Sequence, residues 1–88
     1  MNSFTSRRYR DLFANLPEDV KKRAIRAYHL FQLNPAHPGL QFKKVEGQSD
    51  IYSVRVGLGY RALGQMDSDD IVWFWIGPHA EYDKLVRG

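Results

Sequence analysis

The sequence has no cysteine, which excludes a disulfide framework, a thiolate metal site and a cysteine nucleophile together. It also lacks a long apolar run. The longest, Ile71 to Ile76, is far too short to cross a bilayer. Met1 to Arg10 is polar and basic with no apolar segment behind it, so no secretory signal is expected. No internal repeat, low-complexity segment or linker interrupts the chain. No glycine-rich phosphate loop or dinucleotide fingerprint is present, since Gly57-Leu58-Gly59 has no helix behind it. Without H-x-x-x-H or H-E-x-x-H spacing, no metal site and no cofactor are expected; His29 and His37 read as ordinary surface or loop histidines. Ser53 lacks the surroundings of a nucleophile elbow.

What remains is the composition of an ordinary globular domain. Hydrophobic residues make up 43% and charged residues 26%, a mixture that excludes disorder by composition. Eighty-eight residues are enough for one hydrophobic core, so residues 1–88 read as a single domain, soluble and cytoplasmic. The charge is uneven. Met1 to Arg61 carries eleven basic and five acidic residues, whereas Ala62 to Gly88 carries two and five. A basic body favours phosphate-rich or acidic partners. Lys21, Lys22, Arg23 and Arg26 nevertheless read as the solvated surface of a helix.

Thr5 or Ser6 suits the N-cap of a first helix, because Tyr9, Leu12, Phe13 and Leu16 follow at one-face helical spacing. Pro17 ends that run and is tolerated at the start of a second helix, where Glu18 and Asp19 meet the positive helix end. Val20, Ala24, Ala27, Tyr28 and Phe31 form the second apolar stripe, and Asn34-Pro35 stops it. Beyond Gln41 the period changes from 3.6 to 2. Phe42 to Val45 reads as a short strand, Ile51 to Val56 and Tyr60 to Met66 as a hairpin, and Ile71 to Ile76 as a strand apolar on both faces. His79 to Val86 suits a short last helix. The fold class is α+β: an N-terminal helical hairpin packed on a small antiparallel sheet of three to four strands.

Alternation places Ser53 and Arg55 opposite Tyr52, Val54 and Val56, and Arg61 opposite Tyr60 and Ala62. If the apolar side packs on the helices, the hairpin brings two guanidinium groups to one open surface. Such a pair can grip a phosphate, or it can pair with acidic neighbours such as Asp50 or Glu46. His79 and Tyr82 follow the buried strand and share one side of a helical turn. Histidine is the side chain best suited to move protons near neutral pH.

These residues, in this order, resemble the RelE/ParE superfamily of bacterial toxins from type II toxin–antitoxin systems. Asn34-Pro35, Phe42-Lys43-Lys44-Val45, Tyr52-Ser53-Val54-Arg55-Val56, Gly59-Tyr60-Arg61-Ala62-Leu63 and Trp75-Ile76-Gly77-Pro78-His79-Ala80-Glu81-Tyr82 carry the likeness. In the RelE-like branch the resemblance implies a metal-independent messenger RNA endoribonuclease, generally acting in the ribosomal A site and inhibiting translation. Its 2′-hydroxyl attack needs a base, an acid and positive charge on the phosphorane. The resemblance maps Arg61, Arg55, His79 and Tyr82 onto the catalytic set, and Lys43, Lys44 and Ser53 onto RNA contacts. His79 would serve as general acid or base; Glu81 and Glu46 are candidates for the base. The implied partners are a cognate antitoxin and messenger RNA on the ribosome, with no membrane and no metal. Two departures stand out: the usual first strand shrinks to Asn2 to Thr5, and Ser53 replaces a lysine found in some ribonuclease members. A ParE-like inhibitor of DNA gyrase and a degenerate, inactive binding module remain alternatives.

Overall fold

Ser6 starts the first helix by accepting a hydrogen bond from Tyr9 N through its Oγ at 3.1 Å. The computed structural model describes residues 1–87. In chain order it runs β1 (Asn2–Thr5), α1 (Arg7–Ala14), α2 (Glu18–Leu33), a 3-10 turn (Pro38–Leu40), β2 (Lys43–Lys44), β3 (Ile51–Val56), β4 (Tyr60–Asp67), β5 (Asp70–Pro78) and α3 (His79–Arg87). Pro17 stands at the cap of α2 with Glu18 and Asp19 in its first turn, so the two helices follow one another almost without a linker.

One sheet holds all the strands, in the order β1-β5-β4-β3-β2. Five strands replace the three to four expected, and the sheet is not wholly antiparallel, because β1 runs parallel to β5. The Asn2–Thr5 stub is a full partner there: Ser3 Oγ accepts from Trp73 Nε1 at 2.9 Å, and Ser3 O accepts from the Tyr28 hydroxyl at 2.9 Å. The segment expected as a strand from Phe42 to Val45 pairs only at Lys43 and Lys44. Gln41 just before it takes a left-handed backbone (φ 47), and Val45 enters the turn that follows.

The helical hairpin covers one face of the sheet. Phe31 stands edge-on to Trp73 at 5.2 Å and to Phe42 at 5.0 Å, over Val54, Val56, Ala62, Ile71 and Ile76. The other face carries a smaller cluster of Val45, Leu63, Trp75 and Tyr82. A bulge between the faces explains how β5 serves both. Leu63 pairs with Trp75 and Gly64 with Trp73, leaving Phe74 as the extra residue, so the two tryptophans turn to opposite faces and both are buried. Gly64 is required at that point, since a Cβ would lie 2.7 Å from the Trp73 ring. The final helix α3 lies across the second face. Its Tyr82 and Val86, one turn apart, pack on Leu63, Trp75 and Val45, so the face expected to be open is partly covered. Among the described residues, no helix is long and apolar enough to cross a membrane.

Candidate functional site

Strand register builds the site. In the β3–β4 hairpin Arg55 pairs with Arg61 and Ser53 with Leu63, while Lys43 of β2 pairs with Ser53. All five therefore share the face that α3 crosses. Gly57 (φ 59) and Gly59 (φ 84) bound the three-residue turn, positions where a left-handed backbone favours glycine. Gly59 O also accepts from His79 N at 2.8 Å, which ties the first residue of α3 to the hairpin.

The two cross-strand arginines differ sharply. Where alternation predicts both on an open surface, Arg61 is only 3% exposed. Its Nη1 donates to Gln41 Oε1 at 3.2 Å, and its Nη2 donates to Gln41 O at 3.2 Å and to Ser53 Oγ at 3.0 Å. Tyr82 closes the lid: its ring centroid lies 5.2 Å from Arg61 Cζ, and its hydroxyl donates to Ser53 Oγ at 3.2 Å. Sequence alternation fixes which face a side chain takes but says nothing of what covers that face. Here Gln41, from the connection, and α3 together do so. Burial pulls the Arg61 pKa down from its usual range; Tyr82 works against that shift, and the like charge of Arg55 adds to it. Arg61 Nε is buried without a hydrogen-bond partner among the described residues.

Arg55, by contrast, is half-buried and uses its Nε to donate to Gly57 O at 3.2 Å. Neither arginine pairs with Asp50 or Glu46; the ion pairs among the described residues are Lys21–Glu18, Arg23–Asp19 and His79–Asp83. His79 opens α3 with a side chain 54% exposed, its Nε2 3.4 Å from Asp83 Oδ1 and its ring 5.6 Å from that of Tyr82. The 79/83 spacing of one helical turn is the signal the sequence carries for Asp83. Gln41 had none.

The remaining candidates spread out. Ser53 is fully buried, its Oγ taken by Arg61 and Tyr82. Lys43 and Lys44 are exposed on the sheet edge, but Lys44 pairs with Tyr52, whose ring stacks on Phe42 under the helices, so successive lysines point to opposite faces. Glu46 and Glu81 are exposed, and Glu46 borders an open groove with Lys43, Lys44 and Tyr82. Among the described residues no three of His, Asp and Glu stand close enough to hold a metal ion. The arrangement offers an imidazole steadied by a carboxylate, on the same hairpin as a semi-exposed guanidinium and a second, buried one.

Residues 18–84 match the family described as ParE-like toxin domain. A chain of the RelB–RelE antitoxin–toxin complex from Methanococcus jannaschii superposes with a TM-score of 0.75 at 18% identity, over 93% of this chain and 96% of that one. The isolated E. coli RelE toxin gives 0.67 at 16% identity, covering 97% of each chain. The YoeB/ParE toxin from Agrobacterium tumefaciens gives 0.70 at 9% identity, over 90% of this chain and 99% of that one. At such identities the likeness is one of fold. No significant match was found among curated proteins.

Proposed function

This chain belongs to the ParE-like toxin domain family, and on that premise we propose that it is a messenger RNA endoribonuclease, ribosome-dependent, that inhibits translation and is neutralised by a cognate antitoxin. One observation carries the reading: His79, half-exposed and held by Asp83, sits against the same β-hairpin that presents Arg55. In the cleavage, the 2′-hydroxyl loses its proton to a base as its oxygen attacks the adjacent phosphorus, the bond to the 5′-oxygen breaks, and that oxygen takes up a proton. His79 gives the proton to the 5′-oxygen or takes the one from the 2′-hydroxyl, a contribution of about 10²–10⁴-fold. Asp83, with Oδ1 3.4 Å from Nε2, steadies the ring. Arg55 supplies positive charge to the phosphorane oxygens. Arg61, shielded from direct contact, acts through its field and by holding Tyr82 and Ser53 in place. Lys43 and Lys44 contribute backbone phosphate contacts from the sheet edge. The antitoxin is supported by the fold's likeness to a chain of an antitoxin–toxin complex.

A second reading, a protein inhibitor of DNA gyrase, is favoured by the burial of Arg61, which withdraws one of the two expected charges from the surface. Mapping new RNA 5′ ends after a short pulse of expression in bacteria separates the two. The ribonuclease reading expects ends inside coding regions, in register with codons, that vanish with His79→Ala. His79 is the better control than Arg61, because an exposed side chain can be removed without disturbing the core. Growth arrest with DNA-damage signalling and no new ends would establish the gyrase reading instead. Normal growth without new ends would leave an inactive binding module.

A further inference from the structure

Across the hairpin from His79 lies a second basic feature. Arg23 and Arg26 of α2, separated by one helical turn, meet Arg55 of β3 around a cleft of about 160 Å³ that Gly39 and Gly57 also border. The sequence treats the first two as solvated helix surface; the fold brings them against the end of a strand some thirty residues away.

Three details make the cleft a built feature. A Cβ on Gly57 would fall 2.5 Å from Arg23 Cδ, so the Arg23 stem runs directly along the turn. Arg55 spends only its Nε on Gly57 O, which leaves both terminal nitrogens without a protein partner among the described residues. Arg26 has no ion pair among the described residues, and Arg23 is paired with Asp19 at 3.4 Å, a carboxylate itself largely exposed. Arg23, Arg26 and Arg55 thus leave the cleft with a surplus of basic residues, which one exposed carboxylate offsets only in small part.

We propose that this cleft binds a phosphate of single-stranded RNA, as a second anchor for the strand whose cleavage is assigned above; it rests on that reading for the identity of the ligand. Guanidinium forks match phosphate oxygens in pairs, and phosphate contacts position a nucleic acid without reading its sequence. The route is continuous. Gly59 O holds His79 and Gly57 O holds Arg55 at the two ends of one three-residue turn, so a strand whose reacting phosphate lies at His79 and Arg55 has its next phosphate towards Arg23 and Arg26.

The test uses the full chain and a fluorescent ten-nucleotide RNA with 2′-O-methyl riboses, which lacks the attacking hydroxyl and cannot be cut. Binding is followed by anisotropy across a salt series. The double variant R23Q/R26Q is expected to weaken binding by roughly tenfold or more and to lower the slope of log K against log salt by about 1.4, for two lost contacts. The variant K21Q/K22Q removes equal charge from the same helix and is expected to leave the slope within about 0.5 of the parent. Equal slopes for the two variants would overturn the proposal. So would a decaglutamate peptide competing as well as the RNA, since the site would then take carboxylates as readily as phosphates. The probe keeps this outcome apart from the ribonuclease reading. A slope change in a chain that cuts no RNA supports the anchor and sinks the nuclease. Intact cutting with no slope change does the reverse.

Discussion

The two faces of the sheet are built on different terms. Under the helical hairpin, Phe31, Val54, Ile71, Trp73 and Ile76 make an apolar layer, and the buried charged side chain among the described residues, Arg61, is not part of it. Under α3 the cluster is smaller, and beside Val45, Leu63 and Trp75 it encloses Ser53 and the Arg61 guanidinium. Apolar burial is tolerant of detail, because its free energy follows area. A buried charge depends on every partner, because desolvation costs several kcal/mol unless hydrogen bonds offset it. The first face therefore carries the stability, and the second carries the arrangement that only one conformation satisfies.

The largest effect belongs to the face under the helical hairpin. Trp73→Ala removes a ring 3% exposed, its edge contact to Phe31 and its bond to Ser3 of β1. A loss of about 3–5 kcal/mol is expected from urea denaturation, a large fraction of a small domain's total. A loss below about 1 kcal/mol would mean that this face is not where stability resides.

The next effect reads the same face by pH. Burial, followed by the neighbouring Tyr28, pushes the Tyr9 pKa up to about 12. The folded chain thus holds a proton that the unfolded chain releases near pH 10. The associated stability is complete below that pH and is lost as pH rises towards 12, by at most about 3 kcal/mol. Tyr9→Phe is expected to flatten the decline seen in urea unfolding between about pH 10 and 12.

Arg61 sharpens the contrast between the faces. Arg61→Ala leaves Gln41 Oε1 and O without their donor and opens a void, at an expected cost of about 2 kcal/mol. Arg61→Met orphans the same two acceptors and removes the same desolvated charge but refills the void, so its melting midpoint is expected to lie between the alanine variant's and the parent's. Equal losses in the two variants would show that the guanidinium itself stabilises the fold.

How much of this was legible follows from which forces are local. Ser6, Pro17 and the stripe from Val20 to Phe31 mark the helices because caps and periodicity act within a few residues. The Arg55–Arg61 pairing follows from a three-residue turn and strict alternation. The bulge at Phe74 does not, since it appears as one uninterrupted apolar run; only the pairing of Leu63 and Gly64 shows that Trp73 and Trp75 part company. The cover over Arg61 was equally hidden. Gln41 reaches it from twenty residues away and Tyr82 from twenty-one, and no local pattern records such contacts. The cleft at Arg23 and Arg26 fails to appear in the sequence for the same reason, because its third arginine comes from another layer of the fold.

The smallest effect tests whether Tyr82 supports the site or takes part in it. Tyr82→Phe keeps the ring over Arg61 and deletes only the hydroxyl that donates to Ser53 Oγ at 3.2 Å. Ser53 Oγ still accepts from Arg61 at 3.0 Å, so the buried oxygen is not orphaned. The expected cost is about 1 kcal/mol in urea denaturation. On the ribonuclease reading, cleavage is expected to fall less than roughly tenfold, against about 10²–10⁴-fold for His79→Ala. A phenylalanine variant as inactive as His79→Ala, yet as stable as the parent, would move Tyr82 from positioning into the chemistry.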